Sequence, residues 1–300
     1  MAPPDTSAPD LPAAYIHCAG LIRAHDRDRF LSTLFAPRGP RRYLSALYAF
    51  NLEVARVREV VREPMPGELR LQWWRDLIEG LGRGEVAGHP VAAALLDMLA
   101  TTDTPRGALL NLIEARTFDL YDDPMPSLND LEGYAGETAS VLVQISAGLL
   151  LGRQDAALAT ASGHAGVAIA MTGLMRALPL QAARGQCFIP LDVLRANGAS
   201  REDVVQKRAT PGLRAALASL RQRAAYHLDE ARGALDGAPA EVTPAFLPLS
   251  LVAGDLNALA RAADPFDGVA GISPLMRQWT LWRAARKARA GKSWIRLPAG

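Results

Sequence analysis

Residues Arg41–Gly80 read RRYLSALYAFNLEVARVREVVREPMPGELRLQWWRDLIEG, and their periodicity decides the fold class. In the first half, Leu44, Leu47, Phe50, Val54, Val57 and Val61 recur at steps of three and four, on one face of a helix. Pro40 suits the opening of that helix, because a first-turn residue needs no backbone N–H. Pro64 and Pro66 end it, since proline cannot donate and crowds the preceding turn. Pro66-Gly67-Glu68 then starts a second helix carrying Trp73, Trp74, Leu77 and Leu81.

The same pattern extends along the chain. No sustained period-two run of β-branched and aromatic residues marks a strand. Helix starts recur instead. Thr104-Pro105, Thr210-Pro211, Thr243-Pro244 and Ser273-Pro274 each set a capping hydroxyl before a proline, and Ser127–Asp130 and Ser200–Asp203 resemble capping boxes. Helices are predicted near 12–36, 41–63, 67–81, 90–100, 105–121, 128–151, 155–178, 190–196, 201–207, 211–235, 244–262 and 274–290. No Pro/Gly/Ser linker or internal repeat divides them. The expectation is one all-α domain over 15–290, with a disordered lead-in at 1–14 and a basic tail at 291–300.

Composition narrows the functional classes. With 49% hydrophobic and 21% charged residues, the 300-residue chain has ample material for a buried core. A formal charge of +2 offers no global case for nucleic acid. Cys18 and Cys187 lie far apart without metal-ligand spacing, as expected of free thiols in a reducing compartment. The start, MAPPDTSAPDLPAAY, lacks the basic and apolar regions of a signal peptide. The longest apolar stretch, Val141–Gly152, is too short to span a bilayer, so a soluble or peripheral protein is expected. Gly80-Leu-Gly-Arg-Gly84 follows a helix and has no P-loop lysine, so a helix end running into a turn explains it better than a nucleotide loop. The histidines (His17, His25, His89, His164 and His227) show no ligand spacing. His164 lines up with Val167, Met171, Leu174 and Leu178, which points to a packed or hydrogen-bonded core histidine.

Two stretches carry a resemblance. Tyr48-Ala49-Phe50 followed by a charged helix and by EPMPGELRLQWWRD at 63–76 resembles the first half of the squalene/phytoene synthase family. The resemblance covers about residues 15–285 and implies the all-helical, single-domain isoprenoid-synthase bundle. Catalytic members carry an Asp-Asp-x-x-Asp box here that holds Mg²⁺ against a prenyl diphosphate. Placing Tyr48-Ala49-Phe50 on the family's Tyr-Ala-Phe puts Ala55, Arg56 and Glu59 at the aspartate positions. The second stretch, AMTGLMRALPLQAARGQCFIP at 170–190, is similar to the family's second Mg²⁺ box. Thr172, Arg176, Arg184, Gly185 and Pro190 match it, while Phe188 replaces a tyrosine, and Ala177, Leu180 and Gln181 stand at the acidic positions. Tyr134, in YAGETAS, falls on a tyrosine that takes part in the family's condensation chemistry, although a helical tyrosine is more often a core residue.

Those replacements have physical consequences. Gly166, Ala170, Gly173 and Ala177 form a stripe of small residues, which either admits a neighbouring helix or leaves an open, more apolar cavity. Metal ions in a diphosphate-ionising enzyme stabilise the departing charge by several kcal/mol, so losing them lowers the rate by orders of magnitude. The resemblance is to the family's degenerate branch, which includes the mitochondrial assembly factor of respiratory complex I. It implies a pseudoenzyme without cofactor or metal that serves a protein partner in a membrane respiratory complex, cytoplasmic and peripheral at the inner membrane in a bacterial source. The alternative is a prenyltransferase joining two prenyl diphosphates head-to-head in isoprenoid biosynthesis, which would need Mg²⁺. A third reading is a metal-free binder of an isoprenoid or phospholipid. Arg56, Arg58, Arg176 and Arg184, beside Tyr48, Glu59 and Tyr134, would line an anion-favouring pocket, unless the arginines pair with Glu53, Glu59 or Glu63.

The C-terminus adds one more candidate. Arg283, Arg286, Lys287, Arg289, Lys292 and Arg296 are interrupted by no acid, and Trp294 and Ile295 follow Gly291, where the helix is expected to end. Either a mobile tail touches an anionic membrane surface, or a solvated basic segment packs one tryptophan back on the body.

Overall fold

A computed structural model describes residues 10–61, 63–81 and 88–299. Among them every regular element is helical and no strand occurs. The helices gather into two compact units. One comprises residues up to 120 together with 145–154, the other 121–144 together with 155 onward. No linker composition marks this division, because the crossing at 144/145 falls inside a helix.

The first unit contains α1 (Leu11–His25), α2 (Arg27–Thr33), α3 (Arg38–Ala55), α4 (Val57–Val60), α5 (Pro64–Glu79), α6 (Pro90–Thr101) and α7 (Arg106–Thr117). The second holds α8 (Leu128–Ala135), the start of α9 (Val141–Leu151), α10 (Ala159–Arg176), α11 (Leu178–Ala183), α12 (Leu191–Ala196), α13 (Arg201–Val205), α14 (Pro211–Ala234), α15 (Thr243–Phe246), α16 (Leu249–Arg261) and α17 (Pro274–Arg289).

Several predicted boundaries move, each for a local reason. The helix expected at 12–36 starts at Leu11, where Asp10 accepts from the Ala13 N–H, so 11–14 are not lead-in. Residues 1–9 lie outside the described residues. Asp26 then breaks that helix, ending α1 and capping α2. The helix expected at 41–63 begins at Arg38 and is interrupted at Arg56. Pro64 and Pro66 open α5 rather than ending its predecessor, since first-turn positions need no N–H. The buried Gly67 on that turn lets Leu120 pack where a Cβ would stand. Thr210, Ser273, Ser127 and Ser200 cap as expected, Ser200 in a reciprocal box with Asp203. Thr104 does not cap, because Pro105 holds that place and Thr104 shares a 2.8 Å hydroxyl contact with Thr102. Thr243 does not cap either, since the turn at Ala240–Val242 runs straight into α15. Gly80, at φ 80°, ends α5 as expected, while 82–84 of the glycine-rich stretch lie outside the described residues.

In the first unit α1 packs on α3 and α6, and α5 on α7. Tyr48 is buried there, and its hydroxyl accepts from Ser146 Oγ at 2.9 Å. In the second unit α10 is central, packing against α14, α16 and the π-helical turn Gly136–Ser140. Leu128–Leu151, Ala156–Arg176 and Ala240–Arg261 are long and apolar enough to cross a bilayer by length and composition. The first extends beyond the apolar stretch Val141–Gly152 that sequence marks as too short to span, because α8, the π turn and α9 join without a break. Of their apolar windows 67%, 56% and 72% are buried. Cys18 and Cys187 are free and buried, and burial pushes the Cys18 thiol up to about 12.

The C-terminal segment does not project as a tail. Lys287 Nζ donates to the Ser293 carbonyl at 3.2 Å, Ile295 is buried, and the Ala299 N–H donates to Asn257 Oδ1 at 3.1 Å. Ile295 has apolar surface to cover, and the segment covers it on its own unit.

The small-residue stripe of α10 divides in two. A Cβ added at Gly166 would fall inside the van der Waals radius of Ser140 Cα, N and Oγ, whereas one at Gly173 would meet nothing within 4 Å. A neighbour therefore fills the space beside Gly166, while Gly173, further along the helix, is exposed. Gly166→Ala is expected to destabilise by about 3 kcal/mol through overpacking against backbone. Gly173→Ala is expected to stabilise by up to about 1 kcal/mol through helix propensity. Urea unfolding of the two variants checks the opposite signs.

Candidate functional site

The residues singled out from sequence divide between the units, Tyr48, Arg56, Arg58 and Glu59 in the first and Tyr134, Arg176 and Arg184 in the second. In the first unit, Arg56 adopts φ −95°, ψ 3° between α3 and α4, and its N–H bonds the Leu52 carbonyl. The chain restarts at Val57, and Arg56 Nε donates to Glu59 Oε2 at 2.9 Å across three residues. Arg58 Nη1 donates to the Val61 carbonyl at 3.2 Å. The single carboxylate among positions 55, 56 and 59 is thus paired with its own neighbour.

Beside this break lies a cavity of about 320 Å³, with Glu53, Arg56, Arg70, Trp73, Trp74 and His89 in its lining. The indoles meet edge to face at 4.9 Å, and Trp74 meets Phe50 in the same way at 5.2 Å. His89 packs within 5.1 Å of Trp73, and its Nδ1 accepts from the Ala92 N–H. The sequence places the tryptophans on a helix and within the family-like motif at 63–76, without assigning them to a cavity. It gave His89 no role, because nothing in spacing connects residue 89 to residue 56.

In the second unit, α10 ends at Arg176, and Ala177 and α11 follow. Leu180 is exposed and Gln181 is buried. Arg176 Nε donates to the Ala270 carbonyl at 3.1 Å, and Nη1 lies 3.5 Å from Asp255 Oδ2. Asp255 is itself buried, accepting from Arg277 Nη1 at 2.8 and 2.9 Å and from the Ile272 N–H at 3.0 Å. Gly271 is required beside it, since a Cβ there would press on Arg176 Nε and Asp255 Oδ1. Arg176 therefore anchors the 262–272 loop to α10 and α16. Arg184 ends α11 before Gly185, which takes φ 75°. Tyr134 on α8 meets Phe188 at 5.9 Å with 43° between the ring planes, a tilted aromatic contact within one unit.

His164 belongs to a polar cluster that sequence reading reached only halfway. Its Nδ1 lies 2.9 Å from Nδ1 of His227, whose Nε2 lies 3.2 Å from Glu132 Oε1. Arg223 donates to the same carboxylate through Nε and Nη2. With His227 donating from Nε2 to the carboxylate, its Nδ1 is the acceptor and His164 Nδ1–H the donor. The four residues come from α8, α10 and α14, so no local spacing joins them.

The sequence profile of Squalene/phytoene synthase matches residues 22–283. The chain belongs to the squalene/phytoene synthase family. Within it, the chain is 33% identical over 241 residues to NADH dehydrogenase (ubiquinone) complex I, assembly factor 6 of Rattus norvegicus, covering 80% of the chain and 72% of that protein. It is 28% identical over 208 residues to a phytoene synthase of Thermus thermophilus, covering 68% of each. The crystal structure of squalene synthase HpnC from Alicyclobacillus acidocaldarius is similar with a TM-score of 0.71 at 25% identity, covering 84% of this chain and 95% of that one.

At the positions that the resemblance assigns to metal-binding acids, the side chains present do not fit Mg²⁺, which takes hard oxygen ligands in near-octahedral geometry. Glu59 is held by Arg56, and Ala177 and Leu180 present no donor. Among the described residues no three His, Cys, Asp or Glu side chains converge as a metal site. Two of the expected anion-binding arginines, Arg56 and Arg176, face protein carboxylates instead.

The histidine cluster makes stability depend on pH. Burial, aided by Arg223 and His164, holds His227 below its ordinary 6.5 against the opposite pull of Glu132. The unfolded chain then gains a proton that the folded one resists. This contribution is whole above about pH 6.5 and is lost as pH falls through the lower folded value. Glu132, held below 4.5 chiefly by its hydrogen bond from Arg223, acts in the same direction at lower pH. The melting temperature is expected to fall between about pH 7.5 and about pH 5, and to fall less in His227→Gln.

Proposed function

We propose that this chain is a non-catalytic member of its family that serves the assembly of a membrane respiratory complex. One observation carries this reading. Of the positions that the resemblance assigns to metal-binding acids, only Glu59 keeps a carboxylate, and Arg56 pairs with it. A prenyl diphosphate leaves with its charge stabilised by metal, and a carboxylate tied to an arginine is a poor second-choice ligand. The name of the Rattus norvegicus relative, a complex I assembly factor, supports the partner class. We further propose that in a bacterial source the protein is cytoplasmic and peripheral at the inner membrane, where such a partner would be met.

Purified protein incubated with farnesyl or geranylgeranyl diphosphate and Mg²⁺ is expected to release no diphosphate above the protein-free blank. Metal-dependent release that Glu59→Ala abolishes would overturn this. The likeness to the Thermus thermophilus phytoene synthase favours the second reading, head-to-head condensation of prenyl diphosphates, and the same assay decides between them. Deletion of the gene in the source organism is expected to lower NADH dehydrogenase activity of membranes. Glu59→Ala should restore it as well as the unaltered chain does. Failure of that variant alone would argue for chemistry at residue 59.

A further inference from the structure

We propose that α17 carries a docking face for an anionic phospholipid bilayer. The apolar side chains expected to reach an interface, Trp294 and Ile295, are taken up by the fold, Ile295 buried and Trp294 lining a groove. A different set is turned outward. Leu275 is 77% exposed, Met276 49%, Trp279 52% and Trp282 40%. Spaced at one, three and three, they share one side of the helix, while Leu281, Ala284 and Ala285 bury the other. The two indoles stack at 5.0 Å with 26° between their planes, forming one flat aromatic plate.

Cations continue the same side one turn later. The Arg286 guanidinium lies 4.8 Å over the Trp282 ring. Arg283, Lys287 and Arg296 line a groove of about 610 Å³ against α16, whose walls include Ile272, Met276 and Trp279. From Pro274 to Ala299 the segment holds no acid. Arg277 is spent on Asp255, but Arg283, Arg286, Lys287, Arg289, Lys292 and Arg296 form no ion pair among the described residues.

Charge complementarity selects the occupant. A second copy would bring six cations against six, which like-charge repulsion opposes. An anionic bilayer takes indoles at its headgroup level and cations at its surface from the same side, the arrangement seen here. This inference does not rest on the proposed function, since the face binds lipid whether or not the family chemistry survives.

The full chain is mixed with vesicles of phosphatidylcholine and phosphatidylglycerol at about seven to three, or of phosphatidylcholine alone, and sedimented. Binding is expected on the anionic vesicles only and is released by molar salt. Each engaged cation strengthens binding about fivefold. Arg283→Glu/Arg286→Glu and Trp279→Ala/Trp282→Ala are each expected to weaken binding at least about tenfold at unchanged helix content. Both pairs of side chains project from the surface, so neither variant disturbs the core. Equal recovery on neutral vesicles, recovery on neither, or binding unaffected by both variants would overturn the proposal. So would a concentration-dependent dimer, seen by sedimentation velocity, that the tryptophan variant dissolves and that accounts for all pelleting.

Discussion

The second unit depends on a missing methyl group. At Gly166 the backbone of α10 comes so close to Ser140 that no Cβ fits, and Ser140 Oγ donates to the Gly163 carbonyl at 2.7 Å. That approach sets the depth at which α10 lies against the π turn. Because α10 also packs on α14 and α16, it fixes the plane from which Arg176 reaches Asp255. The middle of the helix is held by close packing and its C-terminal end by charge. Between them, Gly173 stands in open space.

The same economy governs the polar groups. A buried carboxylate is tolerated when its lone pairs are met by charged or backbone donors, and Asp255 has Arg277, Arg176 and the Ile272 N–H around it. Glu132 is satisfied by Arg223 and His227. Glu59, at the surface, is paired with Arg56. Each of these carboxylates is met by a guanidinium group of the same chain. Arg176, which the resemblance matches to the family pattern, holds a loop in place. A matched motif residue therefore carries no assurance of the motif's function.

The surface follows a different logic. Most apolar side chains on α17 have no core to enter, because Leu281, Ala284 and Ala285 already fill its inward side. Trp279 and Trp282 cover part of each other by stacking, which reduces but does not remove their contact with water. An exposed indole pair within a stretch free of acids is costly in a protein that meets only water, and it is useful against a surface that is apolar below and anionic above.

Helix content, the caps at Ser127, Ser200, Thr210 and Ser273, and the family were legible in the chain itself. They rest on periodicity and on neighbours three or four residues apart, and backbone geometry makes those interactions local. That positions 55, 56, 177, 180 and 181 carry no acid is likewise read from the chain, since it is a fact of composition. What paired with the remaining charges was legible only where the partner was near, as with Arg56 and Glu59. Arg176 with Asp255, His164 with His227, and His89 beside Trp73 join residues from 16 to 79 positions apart, read directly from the numbering. Only packing of the helices decides those distances. Tertiary structure likewise decided which indoles face water: sequence shows five tryptophans, but only the fold drew Trp294 inward and left Trp279 and Trp282 outside. A helix's two sides differ by what is packed against them, and that partner is never written in the helix.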